Sequence, residues 1–467
     1  MGGGYFLTAD FDETEWFCGT GAIVRGDKIT FATPTGMHAG IFMIRTPGRT
    51  VLSNSLSFLM AKEKYKFDPC FAGYEKFFNH NILQGIYKYN SHVHALKDDK
   101  PSEDIQMILF RNITIRDDGT VQIDVKPETK GFDNFEEYSE RLTSTMKLLA
   151  ENAKDEHRKY KYAVTSFISS GYDAATCASV AKECGANKAL TFEAKGKYKN
   201  DSGVLAAKRL GYETVVERDA YAYLNRNDFP EVQSISGGDI GNVISFSTFE
   251  DDMKDHLVFS GENGDFVWGK NKSFQTINDE AHIVWKNSEV GLSESHLHQG
   301  YIPVPMTSFG IRHWTDLFRI SNSDEMAHWS VGGDYDRPIP RRILEEKGLP
   351  RETFGMKKYG AGFYYAYDWK NRILSRMSEN SAKEFEKYLN ENKNTAPIGV
   401  YIKFIWTNKS KFWNTMVTRL KLPKLRVAVP DSEVEKRNAV TNPFAARYLI
   451  PWAGEHMIRD YIEALEG

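Results

Sequence analysis

Residues 166–173 read Ser-Phe-Ile-Ser-Ser-Gly-Tyr-Asp, an apolar run that breaks at Ser169-Ser170-Gly171 and then turns helical. A tight turn between a strand and a helix aims backbone N–H groups at one spot, where the helix N-terminus also favours an anion. Ser169, Ser170 and Gly171 add small side chains and hydroxyl donors, which suits a phosphate. Asp173, at the helix start, suits the helix dipole but would repel a bare phosphate. A carboxylate beside a phosphate site implies magnesium between them. Taken alone, the segment fits equally well an ordinary strand-to-helix turn with Asp173 as a cap. A second segment, residues 259–269, repeats the pattern as Phe-Ser-Gly-Glu-Asn-Gly-Asp-Phe-Val-Trp-Gly, with carboxylates at Glu262 and Asp265. Two such strand ends on one sheet could hold a magnesium nucleotide between Asp173 and Asp265.

The elements that must position these residues are legible around them. From about residue 160, strand-like runs (Tyr162–Ile168, Lys188–Ala194, Tyr212–Asp219, Asp255–Gly261) alternate with helical ones. The helices are closed by Gly185 and Gly211. Strands alternating with short helices predict a parallel doubly wound α/β sheet, whose ligands bind at the carboxyl ends of the strands. Both turns are strand ends. Residues 1 to about 132 read as β-rich, with short alternating runs punctuated by Gly and Pro. Residues 111–125 predict a hairpin turning at Asp118-Gly119. Asn134 is an expected helix cap, followed by Phe135, Tyr138, Leu142 and Met146 on one face. Beyond about residue 290 the chain is helical or irregular and rich in aromatics. The expected parts are 1–132, 133–380 and a helical extension over 381–467.

Composition narrows the class. The chain has 467 residues, 41% hydrophobic and 26% charged, with a formal net charge of −3. This fits a soluble multidomain protein and gives no reason to expect nucleic acid. Cys18, Cys70, Cys177 and Cys184 show no paired spacing, which argues against a zinc site or a disulfide framework and suits a reducing cytoplasm. No run approaches the roughly 20 apolar residues of a membrane span. The start, Met-Gly-Gly-Gly-Tyr-Phe, has neither a signal-peptide pattern nor the Ser or Thr of a myristoylation site.

The paired segments resemble the ATP-pyrophosphatase loop and second acidic motif of the asparagine synthetase family, which includes β-lactam synthetase, carbapenam synthetase and lasso-peptide cyclases. That loop, roughly Ser-Gly-Gly-x-Asp-Ser, is matched by Ser169, Ser170, Gly171, Tyr172, Asp173 and Ala174. The second motif, roughly Ser-Gly-x-Gly-x-Asp-Glu, is followed by Ser260, Gly261, Glu262, Asn263, Gly264 and Asp265. Asp201-Ser202 resembles a further position near the nucleotide. Residues 341–363 resemble the stretch in which Leu-Pro precedes a Lys-x-Gly, here Lys358, Tyr359 and Gly360, with Lys357 as neighbour. The likeness is best over 135–365, weak in the N-terminal part and nearly absent from the last hundred residues.

What the resemblance implies is a carbon–nitrogen ligase using ATP and Mg2+. A substrate carboxylate is adenylated with release of pyrophosphate, and an amine then takes the acyl group to form an amide. Ser169, Ser170, Gly171, Tyr172, Asp173 and Gly261 would bind ATP and pyrophosphate, and Asp173 and Asp265 the metal. Lys358 would stabilise the reacting charge, and Glu262 or a nearby tyrosine would help deprotonate the amine. The fold implied is a PP-loop α/β domain after an amidotransferase-like (Ntn-type) β-rich domain.

Two departures qualify this. Ala174 and Ala175 replace the hydroxyl residues that usually follow the loop aspartate, which leaves a catalytically inactive binding relative as an alternative. Glutamine-using members carry a cysteine directly after the initiator methionine; here position 2 is Gly, so no glutamine hydrolysis is expected. The carboxylate could belong to an amino acid derivative, a modified peptide or a surface-polysaccharide uronic acid taking free ammonia. Arg337, Arg341 and Arg342 either pack a domain or form a wall for an anionic substrate. His92/His94 and His296/His298 are H-x-H pairs without a third ligand in sequence. Residues 401–426 mix aromatics with seven basic residues, as in a solvated helix with one packed face or a helix on a membrane surface. Weak membrane-surface contact there, and a homodimer, are compatible with the sequence.

Overall fold

A computed structural model of the chain describes residues 11–467 apart from 15, 37, 81–87, 129, 195–200, 242, 263, 271–291, 334, 356–364, 366–367, 393–397, 421, 423–424, 426 and 428–441. The molecule is mixed α/β. Its first strands are β1 (Gly21–Arg25), β2 (Lys28–Ala32), β3 (Ile41–Thr46), β4 (Arg49–Ser53), β5 (Tyr65–Lys66), β6 (His92–Lys97), β7 (Lys100–Ile108), β8 (Arg111–Arg116) and β9 (Val121–Val125). They form two antiparallel sheets, ordered β1-β2-β8-β9 and β4-β3-β7-β6-β5.

Alternation along β3 explains how these sheets are layered. Ile41 and Met43 point to one face and meet Ile108, Ile113, Phe31 and Ile123, so the two sheets pack on each other. Phe42 and Ile44 point to the other face and join Leu56, Leu59 and Met60 of helix α1 (Leu56–Glu63). The β8–β9 hairpin turns where expected. Gly119 takes a left-handed φ of +82°, and Asp118 accepts from the Thr120 N–H at 2.8 Å.

The short helix α2 (Tyr74–His80) lies between β5 and β6, and after β9 the chain enters α3 (Phe135–Ala153). The Asn134 side chain caps it by accepting from the Glu137 N–H, and Phe135, Tyr138, Leu142 and Met146 are all buried on one face. Strands β10 (Ala163–Phe167), β11 (Lys188–Phe192), β12 (Thr214–Arg218), β13 (His256–Ser260) and β14 (Ile302–Pro305) then form a five-stranded sheet. Its order is β12-β11-β10-β13-β14, and every pair is parallel. Helices α4 (Tyr172–Glu183), α5 (Val204–Arg209) and α6 (Pro230–Ile235) occur between β10 and β13.

β14 lies in the region expected to be helical or irregular, so that expectation is corrected at residues 302–305. Two of its four residues are proline, which lacks the N–H a ladder needs and is confined to edges. β14 is the edge strand, pairing with β13 alone.

The C-terminal part is helical, with helices Glu379–Asn392, Ile398–Arg419 and Leu449–Glu466. The last of these packs against the N-terminal part. Phe58 of α1 meets Tyr461 edge-on at 5.4 Å, and Gly454 lies against the Phe67 ring. Glu294, buried on the helix Leu292–Gln299, accepts from Ser55 Oγ at 2.7 Å and from Tyr461 Oη at 3.1 Å.

Candidate functional site

The strand order places the two turns. From β10 the chain builds outward to β11 and β12, then crosses back to lay β13 on the opposite side of β10. The order therefore reverses between β10 and β13, which is where open α/β sheets form a ligand crevice. Ser169–Asp173 follows β10 and Gly261–Asp265 follows β13. The strands run in step, with Thr165 opposite Val258 and Ser166 opposite Phe259.

The turns also interlock. A Cβ on Gly261 would lie 2.4 Å from the Ala174 backbone nitrogen, and one on Gly264 would lie 2.4 Å from the Asp173 carboxylate. Glycine at both positions lets the second turn close onto the first turn of α4. Cys177 Sγ reaches the Ser260 carbonyl at 3.2 Å and ties the same helix to β13. Burial pushes that thiol well up, so it packs rather than reacts.

Within the first turn, Gly171 is the N-cap of α4 and offers no side-chain cap. Three consecutive N–H groups meet acceptors from the protein. Ser170 N–H reaches the Asp201 carbonyl at 3.4 Å, Gly171 N–H the Ser169 hydroxyl at 3.1 Å, and Tyr172 N–H the Tyr335 hydroxyl at 3.4 Å. Two of these acceptors are hydroxyl oxygens, which a side-chain rotation removes and an anion's oxygens can replace. Ser170 Oγ donates to Asp201 Oδ1 at 3.1 Å. Burial raises the Asp201 carboxyl from its ordinary range to about 6, against the opposing effect of the serine hydrogen bonds.

Asp173 is paired. The Arg337 guanidinium bonds both of its carboxylate oxygens, and Arg337 is 4% exposed. Arg337 also lies 4.9 Å from the centre of the Tyr335 ring, and that ring packs on Tyr172 at 4.9 Å. Arg341, equally buried, donates to the Tyr172 hydroxyl. Of the three arginines singled out in the sequence, Arg337 and Arg341 thus converge on the turn. Arg342 instead pairs with Glu136 and Glu346. Tyr335 carried no spacing signal and was not anticipated; only the aromatic and charged density of 313–342 pointed toward it.

Glu262 follows Gly261, and its carbonyl accepts from Thr307 Oγ1. Burial, with the Glu262 charge as a lesser contribution, raises the Tyr301 hydroxyl. The side chain of Asp265 and the whole of Lys357 and Lys358 lie outside the described residues. Just before them, Gly355 N–H donates to the Ser170 carbonyl at 2.8 Å, with a left-handed φ of +64° and the Tyr172 ring against its Cα. The chain is therefore fastened to the first turn at residue 355, just before the lysines.

No protein-family model matches the chain, and no curated protein matches it.

The H-x-H pairs are placed by other contacts. His94 bonds Asp68 at 2.9 Å, His298 bonds Tyr461 at 3.2 Å, and His296 is buried. Among the described residues, no group of three or more His, Cys, Asp or Glu side chains is arranged to hold a metal ion. Magnesium at this site would draw on Asp173 together with a nucleotide's own phosphates, and Arg337 would have to give up at least one Asp173 oxygen. The small-residue turn, the glycine-only approach of the second turn and the two buried arginines suit a magnesium-bound polyphosphate.

Proposed function

We propose that the protein is an ATP-dependent carbon–nitrogen ligase that activates a substrate carboxylate, with AMP and pyrophosphate as products, and joins it to an amine. The observation that carries this reading is the pair of Ser-Gly turns with carboxylates on adjacent parallel strands at the reversal of strand order. In this reading the parallel sheet is a PP-loop domain and the two antiparallel sheets with α1 are an amidotransferase-like scaffold. ATP supplies the activating group. The chain's own residues bind and orient it. Ser169, Ser170, Gly171, Tyr172 and Gly261 shape the turns around the phosphates, and Asp173 and Asp265 would hold the metal. Arg337 offers charge to the polyphosphate once released from Asp173. Lys358 stabilises charge on the reacting acyl centre, and Glu262 accepts the amine proton.

The amine comes with the substrate or from free ammonia. Cys18, the cysteine nearest the N-terminus, is fully buried with its thiol pushed up to about 12, which leaves almost no thiolate for glutamine at neutral pH. Incubation with a panel of carboxylates and amines, ATP and Mg2+ should release pyrophosphate only when a matched pair is present. Asp173→Asn should lower magnesium-dependent ATP affinity about tenfold by calorimetry, through loss of a charge-assisted contact. Unchanged affinity would remove Asp173 from the site. Ala174, Ala175 and the Arg337–Asp173 pair favour a second reading, a nucleotide-binding relative without catalysis. ATP binding with no pyrophosphate release across the panel would select it.

A further inference from the structure

The helix Ile398–Arg419 turns Phe404, Thr407, Ser410 and Val417 toward the body, at the three- and four-residue spacing of one helical face. Its opposite face is also apolar. Ile398, Ile402, Ile405, Phe412 and Met416 lie along one face, interrupted at Lys409, with Trp406 alongside, and are 42–77% exposed. Leu425 and Val427 lie beside this face. Trp413 Nε1–H donates to the Leu425 carbonyl at 2.8 Å, and Asn414 exchanges hydrogen bonds with Val427 at 2.9 and 3.0 Å. This lays the exposed Leu422 and Leu425 next to the stripe. Single exposed apolar residues are ordinary, but a contiguous face of this size marks an interaction surface.

Charge identifies the partner. Residues 398–427 contain seven basic residues and no acidic one. Taking those seven positive charges from the net of −3 leaves −10 on the rest of the chain. A second copy would bring the same positive segment against itself. An anionic bilayer complements both halves of the helix surface, with acyl chains for the apolar stripe and headgroups for the exposed Lys403, Lys409 and Arg419. No helix among the described residues is long and apolar enough to cross a membrane. The helix would therefore lie in the plane of the interface, with Lys409, inside the stripe, extending its amine to the headgroups. The rest of the chain carries a net negative charge, which disfavours its approach to the same surface.

We infer that the exposed apolar face of the helix Ile398–Arg419 docks the protein on anionic lipid membranes. This rests on residues 398–427 and is independent of the ligase reading. The full chain should co-sediment with vesicles of phosphatidylcholine and phosphatidylglycerol, much less with phosphatidylcholine alone, and should be released by salt. Its tryptophan emission should shift to the blue on binding. Combined Ile402→Ser, Ile405→Ser and Phe412→Ser should abolish binding. Lys409→Glu with Arg419→Glu alters only exposed charges, so it preserves the fold. It should lower partitioning by more than about tenfold. Absence of binding to the anionic vesicles, or undiminished binding in the charge variant, would overturn the inference. So would a concentration-dependent dimer, seen by sedimentation, that the triple variant dissolves.

Discussion

Tyr335 occupies the helix N-terminus with its own hydroxyl, and this makes it a competitor of any bound anion. Tyr335→Phe removes the acceptor and leaves the Tyr172 N–H free for a ligand. A hydrogen bond of this kind contributes about 1 kcal/mol, so ATP affinity should rise several-fold. A fall in affinity by calorimetry would mean that the hydroxyl contacts the nucleotide instead. Asp201 allows a pH test. Its folded value, about 6, lies above the ordinary carboxyl value, so its contribution to stability is full below about pH 4 and is lost as pH rises through 6. Asp201→Asn keeps an acceptor for Ser170 and removes the charge. Urea unfolding should show the variant more stable by about 2–3 kcal/mol at pH 7.5 and no more stable at pH 4. Lys358→Met should preserve ATP affinity while turnover falls on the order of a hundredfold. Lys357→Met should do much less, and equal effects would break the assigned register. The residues of the two turns were legible because small residues and carboxylates cluster at strand ends. Tyr335 and Arg337 were harder to place, because their contacts span more than 160 positions of sequence and no local pattern encodes such a separation.

The turns owe their geometry to β10, β13 and α4 acting as a unit. Gly261→Ala tests this directly, since the new methyl would lie 2.4 Å from a backbone nitrogen that cannot rotate away. Overpacking of this kind costs about 1–3 kcal/mol. The urea midpoint should fall accordingly, and ATP affinity should fall with it because α4 must shift. A variant that unfolds like the parent would show that the turns are not in contact. Elements with strong local signals could be read from sequence: α3 from its cap and buried stripe, the β8–β9 hairpin from Asp118-Gly119, and β10 to β13 from apolar runs alternating with helices closed by glycine. β14 could not, because Ile-Pro-Val-Pro contradicts strand propensity and is admitted only by its place at the sheet edge.

Across the whole molecule, the helix Leu449–Glu466 joins parts that are remote in sequence. Gly454 admits the Phe67 ring so closely that a Cβ would stand 2.1 Å from it. Gly454→Ala should therefore lower stability by about 1–3 kcal/mol, read by thermal or urea unfolding, with the α1 region loosened first in hydrogen exchange. The mixed α/β class was legible from the change of pattern near residue 160. The docking of the last helix was not, since nothing in residues 449–466 names α1 as its partner.

That docking has a consequence for how the protein is made. The apolar side of α1 emerges from the ribosome nearly four hundred residues before the helix that covers it. At roughly 5–20 residues per second, translation takes about 20–80 s to supply the missing partner. During that interval the two antiparallel sheets can form, but one flank of α1 stays uncovered. The nascent chain would spend that time as a client of chaperones that hold exposed apolar helices, and ribosome-bound chains truncated before residue 449 should be captured far longer than the finished protein.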